Sequence, residues 1–193
     1  MKSFTQQGFT LVETLVSITI LLIIVTGPLT ISMTSAKSTS FASEQVVAFF
    51  LAQEGAEIAQ KVRDGYLLED INHANDQWDE FTDETSGDIE DCFSSTGCGL
   101  ELNTDADGSL KTVIDCVTST TKCKLYYNNT AERDRYTYSS SGTVEIPYTR
   151  KIYLTNISPS EVKVVSEVTW RTGNLRQTQK AEVETHLFNI YEN

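Results

Sequence analysis

Histidine is scarce in this 193-residue chain, which has two, His73 and His186. Equally absent are the motifs of hydrolytic and transfer enzymes: there is no G-x-S-x-G, no phosphate-binding loop and no H-E-x-x-H. With no convergent base and nucleophile in view, catalysis is not expected. Residues 64–110 contain no Lys or Arg but fourteen Asp or Glu, whereas from residue 111 onward eleven basic residues slightly outnumber nine acidic ones. The net charge of -12 therefore comes from one block. That block repels phosphate backbones, which argues against nucleic-acid binding. It suits a cation, a basic partner or a plain solvated loop. No cysteine pair has C-x-x-C spacing, which argues against a zinc or dithiol redox site. No A-x-A follows the one long apolar run, so ordinary signal-peptide removal after that run is not expected.

What is present is more specific. Four cysteines, Cys92, Cys98, Cys116 and Cys123, fall in one window. An even number behind an export-type N-terminus points to disulfides in an oxidising, extracytoplasmic place. Three connectivities are open, with the two local loops (92–98 and 116–123) preferred over nesting (92–123 with 98–116).

The chain begins with a short polar stretch, MKSFTQQG, ending in Gly8. Residues 9–31 are then almost wholly apolar, and 23 residues of helix span roughly 35 Å, enough for a bilayer core. Gly27–Pro28 lies near the far end, where a kink or local melting is expected. Beyond it the pattern stays helical. Val47, Leu51, Ile58 and Val62, with Phe50 beside them, form one apolar face, and Gly65 offers a stop after Asp64. The expectation is one long helix whose first half is bare in lipid and whose second half packs on a domain.

Residues 66–126 read as an acidic, cysteine-bearing loop region, and strands follow. In EVKVVSEVTWRT, Val162, Val164, Val168 and Trp170 share a face; TRKIYLTNI alternates through Ile152 and Leu154; KAEVETHLFNI alternates through Ala181, Val183 and Leu187. Period-two alternation with one polar face predicts an antiparallel sheet, covered by the 47–62 helix face. The fold class is thus α+β.

Two further motifs invite a metal. Asn103, Asp105, Asp107 and Ser109, with Gly108 and Leu110, follow the first two-thirds of an EF-hand loop and make a Ca²⁺ site conceivable. Its twelfth position is Ile114 rather than Glu, with Asp115 one residue off, and a plain Asp-Gly turn explains the stretch as well. Glu182, Glu184 and His186 share a strand face, which a solvated outer surface also explains.

One residue in the apolar run stands out. Glu13 is a carboxylate where an unpaired charge costs several kcal/mol, on the order of 3 kcal/mol at a bilayer centre. Its surroundings, GFTLVETLVSI, resemble the class III signal of type IV pilins and of type II secretion pseudopilins. The resemblance covers about the first 25 residues. It implies a prepilin leader of residues 1–8, cleavage between Gly8 and Phe9 by a prepilin peptidase, and methylation of Phe9 as the new N-terminus. Glu13 becomes the fifth mature residue, the family hallmark, which pairs with the freed amine of Phe9 on a neighbouring subunit.

The same resemblance implies the ladle-shaped pilin fold. Residues 9–32 form the transmembrane and filament-core half of the helix and 33–64 its amphipathic half. Residues 65–130 are the acidic disulfide-bearing region and 131–193 the sheet. The stretches AFFLAQEGAEIAQKVRDG and EVKVVSEVTWRT are similar to minor pilins of the pilus-modification type. Central cysteines, rather than cysteines bracketing a C-terminal loop as in many major pilins, also point to a minor subunit. The implied partners are other pilin subunits in a helical filament, the peptidase, the bilayer before assembly, and inner-membrane machinery with a separate ATPase. The chain would sit single-pass in the cytoplasmic membrane, C-terminal domain outside, and then in an extracellular pilus. No cofactor is implied beyond the conceivable Ca²⁺. A type II secretion pseudopilin and a pilus-borne adhesin or Ca²⁺-linked binding module are the alternative functions.

Overall fold

A computed structural model of the chain describes residues 10–69, 74–103, 110–116, 122–129, 135–172 and 177–190. They fall into two compact units, Met1–Ser43 and Glu44–Asn193. Helix α1, Leu11–Glu69, contributes to both.

Within the first unit α1 is bare. Every described residue from 10 to 40 is exposed, including Leu11 at 79% and Ile23 at 73%. Pro28 lies inside the helix, and the helical assignment continues through it, so the expected local melting does not occur. Proline lacks the N–H that would bond to the carbonyl of Ile24. Neighbouring hydroxyls bind other carbonyls of the same stretch: Thr26 Oγ1 donates to Ile23 O at 3.2 Å, Thr30 Oγ1 to Thr26 O at 2.9 Å, and Ser32 Oγ to Pro28 O at 2.9 Å.

The second unit holds the core. Residues 44–69 of α1 lie with α2 (Ala74–Phe81), a 3-10 turn (Glu90–Phe93) and seven strands. The strands are β1 (Cys98–Leu102), β2 (Leu110–Asp115), β3 (Lys124–Asn128), β4 (Arg135–Thr137), β5 (Val144–Ser158), β6 (Glu161–Trp170) and β7 (Gln179–Phe188). They form one sheet with antiparallel pairing throughout. The long β5 is its axis. One edge pairs with β3 and, through Ile152, with Cys98 of β1, while the other pairs with β6 and through it β7. Thus the chain is α+β, with a long N-terminal helix packed on an antiparallel sheet.

The alternation in β5 and β6 places Ile152, Leu154, Val162, Val164, Val168 and Trp170 inside, as their spacing predicts. In β7, Leu187 is buried but Ala181 and Val183 only half so. The sheet also starts earlier than expected, because β1, β2 and β3 lie in the 65–130 region read as loop. Short strands in a polar, cysteine-bearing segment give little periodicity to read.

The helix face differs from its prediction. Leu51 and Val62 are buried, with Arg63 and Leu67 beyond them, but between Ala48 and Ala59 every other buried residue is small: Ala48, Ala52, Gly55, Ala56 and Ala59. Phe50 is 62% exposed, and Val47 and Ile58 are half-buried. Small residues let the helix axis approach the sheet closely. A Cβ on Gly55 would lie 2.3 Å from Ser166 Oγ and 3.0 Å from Arg150 Cδ, so no larger side chain fits there. Beneath the helix Arg150 is buried; its Nε donates to Tyr138 OH at 2.9 Å and its Nη1 to Glu54 Oε2 at 2.8 Å and to Leu51 O at 3.3 Å. Such a charge is tolerated because it is paired and hydrogen-bonded.

The helix also runs past Gly65 to Glu69 rather than stopping at Asp64. Leu67, 2% exposed, joins a cluster with Trp78, Phe81 and Ile89. Burying a leucine is worth about 2 kcal/mol, against about 1 kcal/mol for a glycine within a helix. Trp78 Nε1 donates to Pro159 O at 2.7 Å, tying α2 to the β5–β6 turn.

Candidate assembly site

Thr10 is the residue immediately before α1, and Glu13 stands in the helix's first turn. The backbone N–H of Glu13 is shared between Thr10 O at 3.1 Å and Thr10 Oγ1 at 3.3 Å, and Thr14 N donates to Thr10 O at 3.2 Å. Thr10 therefore caps the helix, with Glu13 three residues in. Ser17 Oγ donates to Glu13 O at 2.7 Å, continuing the ordered turn.

Around this end the surface is apolar: Leu11, Val12, Leu15 and Val16 are all exposed. Glu13 is the sole charged residue from position 11 to 36, before Lys37. The hydroxyls of Thr14, Ser17, Thr19, Thr26, Thr30, Ser32, Thr34 and Thr39 all donate to carbonyls of their own helix. Those hydroxyls are thus satisfied within the helix, as an apolar environment requires. The helix is long and apolar enough to cross a membrane, with a mean hydropathy of 2.2 over its best window near the N-terminus. Gly8 and Phe9, the processing residues expected from the sequence, lie outside the described residues.

The other sequence candidates lie in the second unit. Cys92 bonds to Cys98 and Cys116 to Cys123, closing two local loops. Cys92 and Cys98 sit in the main core, joining the 3-10 turn to β1. Asp105, Asp107 and Ser109 lie outside the described residues, while Asn103 follows β1 directly and Leu110 opens β2. Asp115 sits at the far end of β2, paired with Cys98, roughly 17 Å along the strand from Leu110. Among the described residues no group of three or more His, Cys, Asp or Glu is placed to hold a metal ion.

Glu182, Glu184 and His186 belong to a cross-strand charge lattice on the outer face of β6 and β7. His186 Nδ1 lies 2.7 Å from Glu161 Oε1, and Lys180 Nζ lies 2.6 Å from Glu182 Oε2 and 3.3 Å from Glu167 Oε2. Sequence reasoning did not pick out Thr10, although the T-x-x-E spacing of Thr10 and Glu13 is a capping signature.

No curated protein and no solved structure matches the chain. Residues 3–27 match the family model of the prokaryotic N-terminal methylation motif, a span that includes Gly8, Phe9, Thr10 and Glu13. This signal implies processing by a prepilin peptidase and assembly with other pilin subunits, and with the apolar helix it fits membrane anchoring before assembly. The chain carries the class III signal of type IV pilins and pseudopilins, and the motif supports its being a precursor of that kind.

Proposed function

We propose that this chain is a structural, minor subunit of a type IV pilus or pilus-like filament. It is made as a membrane-anchored prepilin, cleaved after Gly8 and N-methylated at Phe9. The observation that carries this reading is a single carboxylate, Glu13, at the start of a long exposed apolar helix within the matched motif.

The mechanism follows from solvation. In lipid, an unpaired Glu13 near the bilayer edge reaches toward water at some cost, and the amine freed at Phe9 carries an opposite charge. When subunits stack, the Glu13 carboxylate meets a neighbour's N-terminal amine and both charges are neutralised together. Apolar helix packing supplies most of the association energy, and the charge pair sets the axial register. A head-to-tail contact that does not close on itself propagates as a helix, which gives a fibre. The second unit is then displayed outside the membrane and on the filament, where its two disulfides suit an oxidising place. A type II secretion pseudopilin has the same N-terminal chemistry and remains the second reading, because the matched motif is shared.

Mass spectrometry of sheared surface fibres tests the proposal. The expected peptide begins at methylated Phe9 and comes from a subunit present well below the major one. Glu13→Ala should reach the membrane at normal levels and be lost from fibres. Wild-type amounts of the mutant in fibres would remove Glu13 from assembly.

A further inference from the structure

We infer that a cleft between α1 and β4 in the second unit is a recognition site for a peptide segment of another protein, one that carries a large apolar side chain beside a carboxylate. This role does not depend on Glu13 or on filament membership. The cleft has a volume of about 440 Å³ and is lined by Val47, Phe50, Leu51 and Glu54 of α1 and by Arg135 and Tyr136 of β4. Pockets that hold ligands fall in the range of roughly 300–1,000 Å³. Leu51, 2% exposed, forms the base, and the two aromatic rings come from different elements, Phe50 from the helix and Tyr136 from the sheet edge.

The helix surface leading to the cleft is apolar as well. Val46 and Phe49 are 54% and 50% exposed, and the Phe49 and Phe50 rings meet edge to face with centroids 6.4 Å apart. Large apolar side chains gathered on a surface in this way mark an interaction face. Charge then selects the occupant. Glu54 Oε2 accepts from the buried Arg150 Nη1 at 2.8 Å, so its charge is answered from beneath. Arg135 is half-buried, and its Nε is buried with no hydrogen-bond partner among the described residues. A buried N–H without an acceptor is costly, and a carboxylate matches a guanidinium best. The cleft is therefore left with a positive charge in a chain whose total is -12. A purely apolar occupant leaves Arg135 unpaired, and a small anion alone leaves Phe50 and Tyr136 in water. A segment with both groups covers the rings while Arg135 turns its guanidinium onto the carboxylate.

The full chain in phosphatidylcholine nanodiscs is titrated with three peptides: acetyl-SGFEGS-amide, acetyl-SGFQGS-amide and acetyl-SGSEGS-amide. Binding is read from broadening of the peptide proton resonances, with empty discs subtracted. The first peptide is expected to bind saturably with a Kd of about 1 mM or tighter. The other two should bind at least about ten-fold more weakly, one lacking the charge and one the anchor. Phe50→Ser and Arg135→Gln should each weaken the first peptide about ten-fold, and Arg135→Gln should bring SGFEGS and SGFQGS level. Arg135→Lys keeps the charge and should keep the preference for SGFEGS. Unchanged melting of the second unit shows that the variants fold; Phe50, 62% exposed, is the variant least able to disturb it. The inference is overturned if SGFEGS does not bind saturably, if SGFQGS or SGSEGS binds equally well, or if Phe50→Ser binds like wild type. A concentration-dependent dimer of the peptide-free chain that Phe50→Ser abolishes also overturns it, by giving the cleft to a second copy.

Discussion

Residues 11–43 and residues 44–69 are consecutive stretches of α1, yet they solve opposite problems. In the first, Leu11, Ile23 and Ile31 are exposed among the described residues, and the hydroxyls that form bonds serve their own helix. In the second, the inward positions are largely alanine and glycine, and the large Phe49 and Phe50 are exposed. Side-chain size therefore tracks what surrounds each stretch. In the exposed stretch large apolar groups dominate, as suits a helix able to cross a membrane. Where a sheet of the same unit is the cover, small groups let the backbones close in, and the tight fit does the work.

The largest test of this contrast exchanges glycine for leucine in each stretch. Gly55→Leu drives a side chain into Ser166 and Arg150, and should cost about 3 kcal/mol or more, or prevent folding of the second unit. Gly27→Leu meets nothing within 4 Å and should leave that unit's melting unchanged. Thermal unfolding of the full chain in detergent, followed by the fluorescence of Trp78 and Trp170, reads both. Equal losses would mean that the helix does not approach the sheet as closely as described.

A smaller difference separates two neighbours. Leu51→Ala should lose about 3 kcal/mol, because Leu51 is 2% exposed, whereas Phe50→Ala should lose under about 0.5 kcal/mol despite the larger side chain. Comparable losses in the same melts would restore the broader apolar face expected from the spacing of Val47, Leu51 and Ile58.

The smallest effect concerns the end of the packed stretch. Tyr66 ionises near pH 10 when unfolded but is pushed up to about 12 in the fold, by burial first and then by Asp88, Glu80 and Glu69. Its contribution is whole below pH 10 and is lost as pH rises through 12, since the unfolded chain ionises first. Tyr66→Phe should therefore make the alkaline fall in Tm shallower, by about 2 °C between neutral and strongly alkaline buffer. An unchanged alkaline slope would show that Tyr66 titrates alike in both states.

Much of this was legible from residue order. Ile152 and Leu154, and Val162 through Trp170, declare their buried face by strict alternation, because a strand's period leaves little ambiguity. Glu13 declared itself by being a charge in an apolar run. The helix face was misread because hydrophobic periodicity weights large residues, and alanine and glycine carry almost no such signal. The helix end was misread because Gly65 is a local stop, while Leu67 finds its partners in Trp78 and Phe81, more than ten residues away. Arg150 gave no signal at all: a cation in a strand reads as surface until Glu54 and Tyr138 are known to lie beside it.

What the sequence determined by itself is what depends on neighbours along the chain: the apolar span, the isolated Glu13, the Thr10–Glu13 spacing and the strand alternation. These follow from helical and pleated geometry acting over a few residues. Only the tertiary structure decided which cysteines meet, how far the helix runs, and that its small side lies on the sheet. Those outcomes depend on close contact between residues distant in sequence, where fit at the scale of a methyl group, as at Gly55 and Ser166, selects among faces that local pattern leaves nearly equal.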